Sequence, residues 1–282
     1  MVTRETTAKI LGILQKQEKE EGKLPLLLEF YRALLQTQDR VRASMGTLEP
    51  TISANAIQSR LSHGQPLVKF DELALDWPSL RKVFVEVAAV FGQYPRLFGE
   101  MPPWLTNQNT GKPLTKKAVR AWYDGKALPA ALLEGINEHL IKTIILSTLH
   151  PFLAAHAEAL ADAIEPDSWH MNFCPVCGGM PDIAYMEKTV GARRLVCSRC
   201  DAEWQFHRIE CPYCRTQEQT SLSFLADEEN FYRLYLCENC KCYLKVIDLR
   251  KTEAEVFVPL ERLYTLDLDR QAHERGYHSC PG

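Results

Sequence analysis

Four Cys-x-x-Cys pairs, Cys174/Cys177, Cys197/Cys200, Cys211/Cys214 and Cys237/Cys240, stand within 67 residues of this chain. So short and turn-rich a segment cannot bury enough apolar surface to hold itself together. Eight thiols at this spacing are a ligand set for two four-cysteine metal sites. Each pair turns the chain tightly enough to aim both sulfurs at one ion, and two facing pairs complete a tetrahedron, with zinc–sulfur distances of about 2.3 Å. Nineteen residues separate Cys177 from Cys197 and 22 separate Cys214 from Cys237, enough in each case for one β-hairpin. The first pair is therefore expected to join the second, and the third the fourth. A crossed arrangement would need the ten residues between Cys200 and Cys211 to carry both modules. Four thiolates suit zinc and iron alike.

The pairs are also a repeat. Cys174 and Cys177 map onto Cys211 and Cys214 at an offset of 37, and Cys197 and Cys200 onto Cys237 and Cys240 at an offset of 40. Each copy reads knuckle, strand, turn, strand, knuckle, strand, which is a zinc-ribbon or rubredoxin-like module. Alternation at Ile183 and Tyr185, Trp204 and Phe206, and Leu222 and Phe224 supports the strands, as do the β-formers of 231–236 and 243–247. Gly178 and Gly179 follow the first knuckle and permit a left-handed residue. Asp201, Arg215 and Lys241 follow the others and lack that freedom, so the two sites are expected to differ in solvent access and redox stability.

Ahead of the knuckles the composition is different. No cysteine precedes residue 165, and Leu, Ala and Ile dominate. Ile10, Leu11, Ile13 and Leu14 open a short amphipathic helix. Residues 24–44 form a longer one, with Leu27, Phe30, Tyr31, Leu34, Leu35 and Val41 near one face. Pro78 fits a first helical position, and Val83, Phe84, Val87, Val90 and Phe91 follow at helical spacing until Gly92 and Pro95 stop them. Residues 94–104 read as a structured loop, 116–123 as a short helix and 129–149 as a buried helix; Pro151 then either breaks it or starts the next, which runs to 164. The fold class is thus α+β: an all-α N-terminal domain (1–168), a first four-cysteine module (169–209), and a second with the C-terminal tail (210–282).

Other chemistries find little support. The net charge is −3 and the sequence pI about 6.3; from Asp167 onward 14 Lys and Arg face 18 Asp and Glu. Phosphate binding needs clustered cations, so nucleic acid is not expected as a partner, and Arg193, Arg194 and Arg199 read as a solvated patch. The polar start lacks the apolar core of a signal peptide, and Lys142, His150 and Pro151 interrupt the longest apolar stretch, so no membrane span is expected. His170 and His207 flank the first module, either shielding its metal or standing exposed at strand ends. Cys242 has no thiol counterpart in the first copy, where Ala202 stands; it reads as a spare ligand, a sulfur acceptor or a small buried hydrophobe, and Cys280 as an exposed free thiol. An exchangeable Cys-x-x-Cys dithiol, or Cys242 itself, is the basis of the alternative reading as a redox or sulfur-handling enzyme.

Several runs carry a resemblance: Cys174-Pro175-Val176-Cys177-Gly178-Gly179-Met180-Pro181, then Arg194-Leu195-Val196-Cys197-Ser198-Arg199-Cys200, Glu203-Trp204 with Arg208, Cys211-Pro212-Tyr213-Cys214, and Cys237-Glu238-Asn239-Cys240 followed by Tyr243-Leu244-Lys245. In this order they resemble the formate dehydrogenase accessory protein FdhE family, as do the helical front half and the tail Thr265-Leu266-Asp267-Leu268-Asp269. The resemblance implies a cytoplasmic maturation factor, not an enzyme, that binds the catalytic subunit of a metal-dependent formate dehydrogenase. It also implies rubredoxin-like sites associated with iron, with Cys174, Cys177, Cys197 and Cys200 at one and Cys211, Cys214, Cys237 and Cys240 at the other. The apolar aromatic loop around Trp104 is a candidate docking surface for that partner, or else packs onto its own core.

Overall fold

The computed structural model describes residues 3–46, 48, 52–73, 75–106, 114–165 and 168–280. Ten α-helices lie among them: α1 (Arg4–Glu21), α2 (Leu26–Met45), α3 (Ala54–Ser62), α4 (Trp77–Gly92), α5 (Pro95–Phe98), α6 (Pro103–Thr106), α7 (Lys116–Tyr123), α8 (Glu138–Ala159), α9 (Val258–Tyr264) and α10 (Leu266–Glu274). Six strands fall between α8 and α9: β1 (Pro181–Met186), β2 (Arg193–Cys197), β3 (Glu203–Phe206), β4 (Leu222–Ala226), β5 (Tyr232–Cys237) and β6 (Tyr243–Asp248). They form two compact units whose division differs from the boundary expected at 168. The described residues of Glu49–Val68 group with those of His156–Gly282, so α3 and the short stretch after it as far as Val68 belong with the sheet.

The helical unit comprises Thr3–Leu48 and Lys69–Ala155. Its helices are locally specified. Thr3 caps α1 through Thr6 N–H at 3.1 Å, and Gly22 ends that helix at φ 79°. Asp76 accepts from Ser79 N–H at 3.0 Å to open α4, which places Pro78 in the first turn. The 94–104 segment is less loop-like than expected, since α5 and α6 each supply a helical turn. Phe98 and Tyr94 pack edge-on against Phe30, with centroids 4.6 and 5.5 Å apart, and Trp104 Nε1 donates to Glu134 O at 2.9 Å. The aromatic loop therefore serves its own core.

Pro151 neither ends nor starts a helix: α8 runs through it. Proline removes one N–H and so strands the carbonyl four residues earlier, here that of Ser147. Gln38 Nε2 of α2 donates to that carbonyl at 2.8 Å. Among the described residues α8 is the one helix long and apolar enough to cross a membrane by length and composition, but 61% of that stretch is buried. Ile141, Ile144, Ile145 and Leu149 are all fully buried, as in a core helix.

In the sheet unit the two repeats fuse into one six-stranded sheet of order β3-β2-β1-β6-β5-β4. Each copy is an antiparallel meander. The seam is parallel, with β1 on β6 from Ile183 opposite Lys245 to Met186 opposite Asp248. Equivalent strands of the two copies thus run in the same direction, so the copies are related by translation along the sheet. Alternation puts Ile183, Leu234, Leu236, Tyr243, Lys245 and Ile247 on one face. Ala272 of α10 and Tyr277 beyond it pack against the β5–β6 part of that face, and Val256 and Val258 against Ile183 and Ile247. Two charged residues fix these C-terminal elements. Buried Lys245 donates to Asp269 at 2.7 Å, which also accepts from Tyr243 OH at 2.7 Å. Arg262 of α9 reaches Asp182 at 2.8 Å and Asp201 at 2.6 Å.

Candidate metal centres

One local geometry recurs at all four knuckles. The residue after the second cysteine is left-handed in each: Gly178 (φ 73°), Asp201 (57°), Arg215 (62°) and Lys241 (57°). Its N–H returns to the carbonyl of the first cysteine at 3.0, 3.3, 3.0 and 2.8 Å respectively. The N–H of the first cysteine bonds the carbonyl five residues on, at Gly179, Ala202, Thr216 and Cys242. Side-chain type therefore does not divide the knuckles as the sequence suggested. Three non-glycine residues adopt a conformation that costs roughly 1–2 kcal/mol each, which holds only where surroundings over-determine it. Amide groups inside the turns point at sulfur: Val176 N–H at Cys174 Sγ (3.3 Å), Arg199 N–H at Cys197 Sγ (3.4 Å) and Tyr213 N–H at Cys211 Sγ (3.4 Å).

The eight sulfurs gather into two groups in the uncrossed order. In the first, Cys174 lies 3.5 Å from Cys200, and Cys177 lies 3.5 Å from both Cys197 and Cys200. In the second, Cys211 lies 3.7 Å from Cys240 and Cys214 3.6 Å from Cys237. All four ligand atoms within each group are within 4.8 Å of one another, and each group could hold a metal ion. The donor chemistry fits. Burial pushes the Cys174 and Cys200 thiols well up, while hydrogen bonds from its cysteine neighbours, Cys174 first, pull Cys177 well down. Four thiols so enclosed do not ionise together by themselves, and a dication that displaces their protons removes the penalty.

The surroundings of the two groups differ. All four cysteines of the first are buried, whereas Cys214 and Cys240 of the second are partly exposed. A strap from far upstream covers the first knuckle: Leu67 and Val68 N–H donate to Pro175 O and Val176 O, both at 2.8 Å. Gly179 lies so close that a Cβ there would sit 2.9 Å from Cys197 Sγ. Arg262 holds the second knuckle through Asp201 and through Cys197 O at 3.1 Å. At the second group Asn239 Nδ2 donates to Cys214 Sγ at 3.3 Å. Burial opposes ionisation of Cys214, yet that amide and its neighbours bring it down to about 7.

Two residue readings change, and a third settles on one of its two alternatives. Cys242 is buried and Cys280 is not a free thiol: the two are bonded to each other, with Cα atoms 5.8 Å apart. His278 lies beside them, its N–H on Lys241 O at 2.8 Å, so the C-terminus is tied to the fourth knuckle. Arg193 and Arg199 are not a solvated patch but are 2% and 6% exposed. His170 and His207 are exposed and stack on each other with centroids 6.1 Å apart. Arg262 and the strap at Leu67 and Val68 carried no signal in the cysteine spacing.

Comparison with known proteins follows the same lines. The family model described as FdhE, central domain, matches residues 173–208. An Aquifex aeolicus protein named Protein FdhE homolog is 27% identical over 278 residues, covering 97% of this chain and 92% of that protein. Protein FdhE of Escherichia coli O1:K1 is 33% identical over 108 residues, which is 38% of this chain and 35% of that one. The crystal structure of the FdhE protein from Pseudomonas aeruginosa has the same fold, with a TM-score of 0.61 over 99% of this chain and 94% of that one at 21% identity.

Proposed function

Since this chain belongs to the FdhE family, we propose that it is a cytoplasmic accessory protein that binds the catalytic subunit of a metal-dependent formate dehydrogenase and supports its assembly. The observation that carries this reading is the pair of sulfur tetrads fused in one sheet. Cys174, Cys177, Cys197 and Cys200 hold one ion and Cys211, Cys214, Cys237 and Cys240 the other, with iron favoured over zinc by the family resemblance. Such stapling makes a preformed surface, and a rigid surface loses little conformational entropy on binding another polypeptide. The role is recognition rather than turnover.

The dithiol-exchange alternative has less support. An attacking Cys-x-x-Cys belongs at a helix N-terminus, where the thiolate is stabilised, whereas these pairs sit in strand turns with their sulfurs grouped in fours. The test is elemental analysis of anaerobically purified protein together with capture of the catalytic subunit from its own cytoplasm. Two ions per chain and recovery of the subunit are expected. Metal-free, folded protein that captures nothing would reject the reading.

A further inference from the structure

Among the described residues, one further group outside the two tetrads could hold a metal ion: Cys242, His278 and Cys280, whose ligand atoms all lie within 4.8 Å of one another. Backbone hydrogen bonds build most of it. Cys242 O accepts Cys237 N–H at 3.0 Å, the bond that closes the fourth knuckle, so residue 242 is positioned by the tetrad beside it. Its sulfur nevertheless stands outside that tetrad. A short parallel bridge holds His278 against it: His278 N–H donates to Lys241 O at 2.8 Å, and Tyr243 N–H to His278 O at 3.3 Å. Cys242 Sγ and His278 Nε2 are then 3.9 Å apart. A zinc tetrahedron with bonds of about 2.3 Å to sulfur and about 2.1 Å to nitrogen has an S···N edge of about 3.6 Å, close to that separation. Cys280 follows two residues on, partly exposed and outside any helix or strand, so its side chain can turn onto Cys242 or onto an ion beside it.

The Cys242–Cys280 bond is not what holds this tail. Tyr277 is buried against Leu234, Leu236 and Tyr243, its hydroxyl donates to Glu238, and the bridge at His278 adds to the sheet. A structural cross-link would repeat a tether that packing already supplies, and it would leave the imidazole beside the sulfurs without a role. Cys242 is buried, whereas His278 is exposed and Cys280 partly so, which gives the group one anchored ligand and two that solvent reaches.

We propose that Cys242, His278 and Cys280 form a third metal site, of which the disulfide is the closed, metal-free state. A dithiol opens it: the sulfur–sulfur bond takes up two electrons and two protons, Cys242 and Cys280 become thiols, and the reductant leaves as its own disulfide. A dication of the zinc type then displaces the two thiol protons and binds two thiolates and the neutral imidazole, so the filled site carries no net charge. A small disulfide runs the exchange backward, taking the two electrons and two protons while the ion is ejected and Cys242 rejoins Cys280. Two sulfurs and an imidazole suit zinc better than the harder, oxygen-seeking dications. Three protein ligands leave the fourth position to water or an incoming ligand, unlike the closed four-thiolate tetrads. An ion held in this way exchanges with the medium, so it is scored at equilibrium and not in protein as purified.

The test uses full-length protein with both tetrads filled with zinc, before and after brief treatment with a phosphine, which cuts the disulfide without offering a competing thiol. Equilibrium dialysis against micromolar Zn²⁺ should find two bound ions per chain in the disulfide form and three in the reduced form. Co²⁺ added to the reduced, zinc-filled protein should raise sulfur-to-cobalt charge-transfer absorption, and added to the disulfide form should not. Cys280→Ser, outside helix and strand, should bind two ions in either state with both tetrads intact. His278→Ala should still form the disulfide and should lower the affinity for the third ion at least about tenfold, the least that loss of even a ligand's own partner costs. A count of two in reduced wild type overturns the proposal. So does a third ion bound equally by the disulfide form or by Cys280→Ser, which would assign it to surface histidines, and so does unchanged affinity in His278→Ala. A fall below two ions on reduction alone also overturns it, by making the disulfide a support of the second tetrad.

Discussion

The two sulfur groups are built from the same knuckle and end in different surroundings. Every turn has the same left-handed residue and the same pair of backbone hydrogen bonds. What differs comes from elsewhere in the chain. The first group is closed by the strap at Leu67 and Val68, by Gly179 against sulfur and by Arg262. The second leaves Cys214 and Cys240 partly exposed and borders a cavity. A repeat can thus fix the geometry that grips an ion while distant segments set how reachable that ion is.

The strongest way to break this comparison is to remove the ions. Structural zinc contributes roughly 10–16 kcal/mol of apparent free energy in small peptides, so full chelation is expected to unfold residues 174–248 and leave the helical unit standing. Far-UV circular dichroism with limited proteolysis reads the outcome, and an intact C-terminal fragment after chelation would reject it. Under milder chelation the second site should empty at least about tenfold faster than the first, as its ligands meet solvent. A chromophoric chelator should show two release phases, and only the slow one should persist in Cys214→Ser; a single phase would mean the coverings make no kinetic difference.

Two substitutions probe the closure of the first site. Arg262→Ala leaves Asp182 and Asp201 without their cation and should cost about 3 kcal/mol, the lower end for breaking a buried pair because Arg262 is 20% exposed. Denaturant midpoints measure it, and a loss below about 1 kcal/mol would make the bridge an ordinary surface one. Gly179→Ala forces a methyl against Cys197 Sγ and should cost about 1–3 kcal/mol, whereas Thr216→Ala at the equivalent place in the third knuckle should be nearly neutral. Equal effects would erase the asymmetry. Smallest is Gly178→Ala, about 1 kcal/mol, because three knuckles already carry a side chain at that left-handed position. Thiol titration adds a sign-only check: no fast-reacting cysteine in the native metal-loaded protein, and two after mild reduction of the Cys242–Cys280 bond.

The sulfur groups were legible because spacing is local: 19 and 22 residues hold one hairpin each, and the uncrossed grouping follows. The meanders were legible for the same reason. The rest depends on distant partners. Pro151 marks a break until Gln38, 109 residues away from Ser147, supplies the missing donor. Leu67 and Val68 act through backbone N–H groups, which side-chain patterns do not report. Cys242 and Cys280 read as two unrelated thiols because 38 residues and two helices separate them. Asp201, Arg215 and Lys241 show that a closed turn can impose a backbone conformation their side chains disfavour.

The parallel seam has a consequence for biosynthesis. β1 leaves the ribosome roughly sixty residues ahead of β6, the strand that covers its outer edge. At about 5–20 residues per second, the nascent chain exposes that edge for some seconds. During that wait the row of amides from Ile183 to Met186 is open to any other extended chain. A release of translation between the two copies would make that vulnerability permanent, so the first copy is not a spare part that can be expressed by itself without risk of aggregation.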